Sequence, residues 1–282
     1  MKVYPSHSNL FHGVDMAAAD IDSRVEICDA SSLVQDDLSA KDPQLSILAS
    51  EDFEPSQVVG MMAKNKFRSF VQKRDSHFVN DLNVSSQILI DPNLYFAQGG
   101  RGSLPEVHRE FEFKFRSASD KPELKKSIEQ FVSQIGSDNV SESVEAILEE
   151  LYMNAMFDAP KEAVNRGQVN CKYEDGQYAV IRIFQNESRL AVVCEDPFGS
   201  LNLTKLMNRM DEVYQKGAGS AIRLDDDANG AGLGCVMMFE HCESLFLGVM
   251  PGQRTLVTCL IPLGISNRKR SQIKKSLHLI HM

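Results

Sequence analysis

Apolar residues at alternate positions mark the clearest part of the chain. In "REFEFKFRS" (109–117), Phe111, Phe113 and Phe115 share one face with charged residues between them, the pattern of a half-buried strand. In "DKPELKKSIEQFVSQIG" the spacing becomes helical, with Asp120 placed to cap and Pro122 in the first turn. In "NVSESVEAILEELYMNAMFDAP", Val144, Leu148, Leu151 and Ala155 recur at helical spacing until Pro160. "YAVIRIFQ" (178–185) and "RLAVVCED" (189–196) predict two strands joined by a short polar turn. Residues 197–231, rich in glycine and charge, predict a long loop. "GLGCVMMFEH" predicts a helix, and "SLFLGV" and "RTLVTCLIPL" a hairpin over Pro251 and Gly252. This order predicts a two-layer α/β sandwich, its sheet mixed and mostly antiparallel, with helices on one face.

Upstream, "VEICDA" (25–30) and "LSILAS" (45–50) predict buried strands, and residues 56–65 and 77–90 predict helices. The expected organisation is a small acidic α/β domain over 1–96, a linker over 97–106, the sandwich over 107–264, and a basic tail over 265–282. In that tail Ile273, Leu277 and Ile280 have the spacing of a short amphipathic helix. The upstream domain resembles a shortened response-regulator receiver, without its cluster of acids around a phosphate-accepting aspartate.

Composition adds two constraints. Eleven acidic and three basic side chains in residues 1–60 supply nearly all of the net charge of −9, which argues against nonspecific nucleic-acid binding by that half. The six cysteines form no CxxC pair and sit mostly in apolar runs, as buried reduced thiols do. With no secretory leader evident and no run of about 18 apolar residues, a cytoplasmic protein without stable membrane insertion is expected.

Three motifs carry candidate chemistry. Glu150 and Asn154, four apart, are neighbours on one helix face. The asparagine carbonyl suits Mg²⁺, and a glutamate one turn earlier can accept a hydroxyl proton. Asp196 ends a strand, where its carboxylate needs donors such as an exocyclic amine. Gly230, Gly232 and Gly234 open a helix, where backbone N–H groups can face an anion. The spacing is neither a dinucleotide fingerprint nor a Walker loop.

Together, "EELYMNA", "CEDPFGS", "GAGLG" and "PGQRT" resemble the N, G1, G2 and G3 boxes of the GHKL ATPase superfamily, and within it the anti-sigma-factor serine/threonine kinases. The resemblance covers about residues 107–264 and implies the GHKL (Bergerat) fold with ATP and Mg²⁺ as cofactors. It implies Asn154 as the Mg²⁺ ligand, Glu150 as catalytic base, and Asp196 on the adenine amine. It implies Gly199 as the G1 glycine, Gly230, Gly232 and Gly234 at the phosphate lid, and Thr255 at the adenine end. A protein partner is implied, such as an anti-sigma antagonist or sigma-like regulator, and a homodimer is compatible. The family's G1 box is D-x-G-x-G, whereas Phe198 here takes the first glycine's place, an exchange expected to narrow the adenine pocket or stack in it. Two activities stay open: a kinase acting on a protein hydroxyl, and a non-catalytic switch of the same fold.

Overall fold

A computed structural model describes residues 2–4, 9–12, 14–33, 42–74, 77–135, 138–160, 172–217, 231–265, 269 and 272–282. In the N-terminal region, β1 (Lys2–Tyr4), β2 (Glu26–Asp29), β3 (Ser46–Ser50) and β4 (Ser69–Gln72) pair in parallel. Every residue of β3 is buried, as in a parallel strand covered on both faces, which is why "LSILAS" shows no alternation. Helices α1 (Ala30–Leu33), α2 (Pro55–Asn65), α3 (Phe78–Ile90) and α4 (Pro92–Ala97) complete this region.

The rest runs β5 (Arg109–Phe115), α5 (Lys121–Ser133), α6 (Asp138–Met153), β6 (Ala179–Gln185), β7 (Arg189–Asp196), α7 (Leu203–Lys216), α8 (Ala231–His241), β8 (Ser244–Met250), β9 (Arg254–Pro262) and β10 (Ser276–His281). Strands β5 to β9 are antiparallel to their neighbours within this group. The fold is therefore α/β with a mixed sheet.

Two elements differ from expectation. The stretch 197–231 was expected to be loop, yet 203–216 forms α7, which buries Leu206, Met207, Met210 and Val213. Their spacing of three and four is helical, and Asn202 caps the start by accepting the Lys205 N–H at 2.9 Å. Among the described residues of the tail, Ser276–His281 do not form the expected helix. They form strand β10, antiparallel to β4 and parallel to β8. Alternation decides this: Leu277 belongs to the core on one face of the sheet, and Ile280 to the core on the other. Ile273 lies ahead of the strand and Leu277 and Ile280 fall on its opposite faces, so their helical spacing is incidental.

Strand β10 thus joins the two regions into one ten-stranded sheet of order β1-β2-β3-β4-β10-β8-β9-β7-β6-β5. One face carries α2 and α5 to α8 around a common core. The other carries α3, α4 and the segment that follows. That segment includes the expected linker 97–106, where Gly100, Ser103 and Leu104 are buried and Leu104 packs under β7 to β9 with Phe96. The N-terminal region therefore supplies a third layer behind the expected two.

Polar contacts reinforce the join. Arg189 on β7 pairs with Asp81 on α3 and with Glu243 before β8, and Arg74 reaches the same two acids. Beyond them, Lys275 donates to the carbonyls of Glu240 and Cys242, at 2.7 and 2.6 Å. It thereby satisfies carbonyls at the C-terminus of α8.

Candidate functional site

Helix α6 does not end as a regular helix. From Asn154 to Asp158 it widens into a π turn, where the Ala159 N–H bonds the Asn154 carbonyl at 2.8 Å. Such single-turn insertions re-aim the side chains of a helix and recur at functional sites. Here Asn154, Ala155 and Asp158 from the turn line a cavity of about 730 Å³, within the range of ligand pockets.

The floor of this cavity is the sheet. Asp196 on β7 lies opposite Thr255 on β9, and Cys194 lies opposite Val257. The two-residue period of the strands puts all four on one face, and all four line the cavity. Asp196 is only 7% exposed and accepts the Phe198 backbone N–H at 2.9 Å. Burial pushes its carboxyl up to about 6, against the opposing pull of neighbouring hydrogen-bond donors. The Thr255 hydroxyl lies close enough to favour the ionised carboxylate, yet outside hydrogen-bonding geometry, so its buried Oγ1 has no hydrogen-bond partner among the described residues. Leaving a hydroxyl in that state is costly unless a ligand or water meets it.

The walls are helical. Helix α7 contributes Lys205, Arg209 and Glu212, spaced to fall along one helix face. Helix α8 contributes Gly232, Cys235 and Met238. Burial pushes the Cys235 thiol up to about 12, so it serves as packing rather than as a nucleophile.

The glycines at the start of α8 have a packing reason. A Cβ on Gly232 would fall 2.1 Å from Cγ of Arg209, and one on Gly234 would fall 2.0 Å from Oε2 of Glu150. They let the first turn of α8 close against α7 and α6. Gly232 also lines the cavity, at the helix end whose dipole favours anions.

Four of the sequence-derived site residues, Asn154, Asp196, Gly232 and Thr255, thus line one cavity. Glu150 and Gly234 pack against each other beside it and are not among its lining residues. Gly230 lies outside the described residues, as do the acids of "LDDDAN". Gly199 lies behind Asp196 at φ +58°, where a Cβ would fall 2.1 Å from the Met250 carbonyl oxygen. Gly199 is thus required at its own position, where the loop passes the β8–β9 turn.

Phe198 corrects an expectation. It does not line the cavity. Its ring stands edge-on to Tyr173, centroids 5.1 Å apart and planes at 88°.

The pair Lys205 and Arg209 was not anticipated. Its signal, two cations four apart after an asparagine cap, is visible only once 203–216 is read as a helix. Among the described residues, no group of three or more His, Cys, Asp or Glu side chains is placed to hold a metal ion. A divalent cation in this cavity would draw on Asn154 and on oxygens that the ligand brings, with the Asp158 carboxylate of the same turn also on the lining. No helix among the described residues is long and apolar enough to cross a membrane. No known protein-family profile matches the chain, and no curated protein matches it.

Proposed function

We propose that the cavity binds an adenine nucleotide with Mg²⁺. On this reading the chain is a regulatory ATP-binding protein of the GHKL type, resembling anti-sigma-factor serine/threonine kinases and acting on a protein partner in signalling. The observation that carries this reading is the pair on the cavity floor. Asp196 is a buried acceptor suited to an exocyclic amine, and beside it Thr255 offers a buried hydroxyl that lacks hydrogen-bond geometry to any partner among the described residues. Adenine presents an amine next to a ring acceptor, which answers both groups. Lys205 and Arg209 on the α7 wall, with the start of α8, suit the phosphate charge. Asn154 supplies a neutral oxygen for Mg²⁺. When bound, ATP supplies a transferable phosphoryl group.

A second reading, a nucleotide-dependent switch without phosphoryl transfer, is favoured by one observation. Glu150, the candidate base, packs against Gly234 and does not line the cavity. In either reading the first function is nucleotide binding. Replacing Asn154→Ala should abolish Mg²⁺-dependent ATP binding, measured by calorimetric titration with and without Mg²⁺. An unchanged affinity in the variant would contradict the proposal.

A further inference from the structure

The α7 wall of the cavity is shared with the N-terminal region. Lys205 and Arg209 line the cavity, while Asp211, on another face of the same helix, meets α2. The contact is at Gly60, a buried residue of α2 at which a Cβ would sit 3.2 Å from Oδ1 of Asp211. Glycine inside a helix is less favourable than alanine, and a side chain here would make Asp211 give way by a few tenths of an ångström. Around this point Val58, Val59 and Met62 of α2 share one buried cluster with Met207 and Met210 of α7.

Helix α2 is itself fixed to the rest of the molecule. Strand β4, which follows it, pairs with β10, and Asp81 of α3 binds Arg189 of β7. Helix α7 therefore packs against a neighbour that is tied to the sheet. The floor residues Asp196 and Thr255 have a different support, the β7–β9 ladder. The two parts of the cavity are held by different structures.

We propose that the N-terminal region positions the charged wall of the cavity: α2, packed closely on α7 at Gly60, sets α7 and with it Lys205 and Arg209. This rests on the nucleotide reading above. It makes Gly60 a positioning residue that acts on affinity for the phosphates and leaves affinity for the base alone; the Asp211 carboxylate is what a larger side chain there would press against. A change within the N-terminal region then alters ATP binding without touching the cavity.

The test compares ATP and adenosine binding to the full chain by calorimetry in four forms: wild type, Gly60→Val, Asp211→Ala, and the double variant. Gly60→Val should weaken ATP about fivefold and change adenosine by less than about twofold. Asp211→Ala, which removes the opposing atoms, should bind like wild type and should restore ATP binding when combined with Gly60→Val. Thermal unfolding checks that each form is folded. Should Gly60→Val not fold, Gly60→Ala is read in the same way. An equal loss of ATP and adenosine binding, or a loss that Asp211→Ala does not restore, overturns the inference and leaves the nucleotide reading intact. Wild-type protein that binds neither compound overturns the nucleotide reading, and the inference with it.

Discussion

Arg189 and Asp81 are 108 residues apart in sequence and form a two-pronged ion pair at 2.7 and 3.2 Å, with 2% and 6% of their side chains exposed. Burial opposes ionisation of Asp81, but Arg74 and Arg189 outweigh it and hold its carboxyl below the ordinary value of 3.8. A carboxylate held lower in the folded state stabilises the fold above the unfolded value and loses that contribution as pH falls through the folded one. Replacing Asp81→Ala leaves two buried guanidinium groups short of a counter-charge. The expected loss is about 3–5 kcal/mol of unfolding free energy at pH 7, measured by urea titration. A loss below about 1 kcal/mol would mean that the network is solvated and does not join the two regions.

Asp196 has the opposite sign. Burial lifts its folded-state value from 3.8 to about 6. Its contribution to stability is therefore fully present below 3.8 and is lost as pH rises through about 6. Above that pH the ionised, buried carboxylate costs up to about 3 kcal/mol. Asp196→Asn keeps an acceptor for the Phe198 N–H and removes the charge. It should raise the melting temperature at pH 8, match wild type near pH 4, and bind ATP far more weakly. A melting temperature lowered at pH 8 would contradict this assignment. A site whose residue lowers the stability of the free protein and serves a ligand is the usual compromise between stability and function.

Phe198 is expected to matter for stability and not for binding. Phe198→Ala removes the edge-on contact with Tyr173 and should cost about 1–2 kcal/mol. ATP affinity should stay within about twofold of wild type. A large gain in affinity would show that the ring narrows the cavity after all.

How much was legible in the sequence varied with the physics of each segment. In β5, charged and aromatic residues alternate on a sheet with one face toward solvent, and that pattern is readable directly. In β10 both faces are covered, so Leu277 and Ile280 are both apolar on opposite faces and, with Ile273 ahead of the strand, imitate a helix. Helix α7 was hidden because its few buried apolar residues, Leu206, Met207, Met210 and Val213, are scattered among many polar and charged ones. With it went Lys205 and Arg209, half of the candidate site. The π turn at Asn154 leaves no mark in composition, because it is a change of hydrogen-bond register rather than of residue type. Of the cavity floor, Asp196 was legible as a carboxylate at a strand end, whereas Thr255 came only from the resemblance and its place opposite Asp196 depends on a long-range pairing that local pattern does not carry.

The most direct test is equilibrium dialysis of the wild-type chain against ATP with Mg²⁺, with GTP as the comparison, at pH 8 and at pH 5. GTP differs at the position facing an acceptor, presenting a carbonyl where ATP presents an amine. The account predicts one ATP per chain at pH 8, at least about tenfold preference over GTP, and weaker ATP binding at pH 5, where Asp196 holds its proton. No occupancy at millimolar ATP, or equal binding of ATP and GTP, would contradict it.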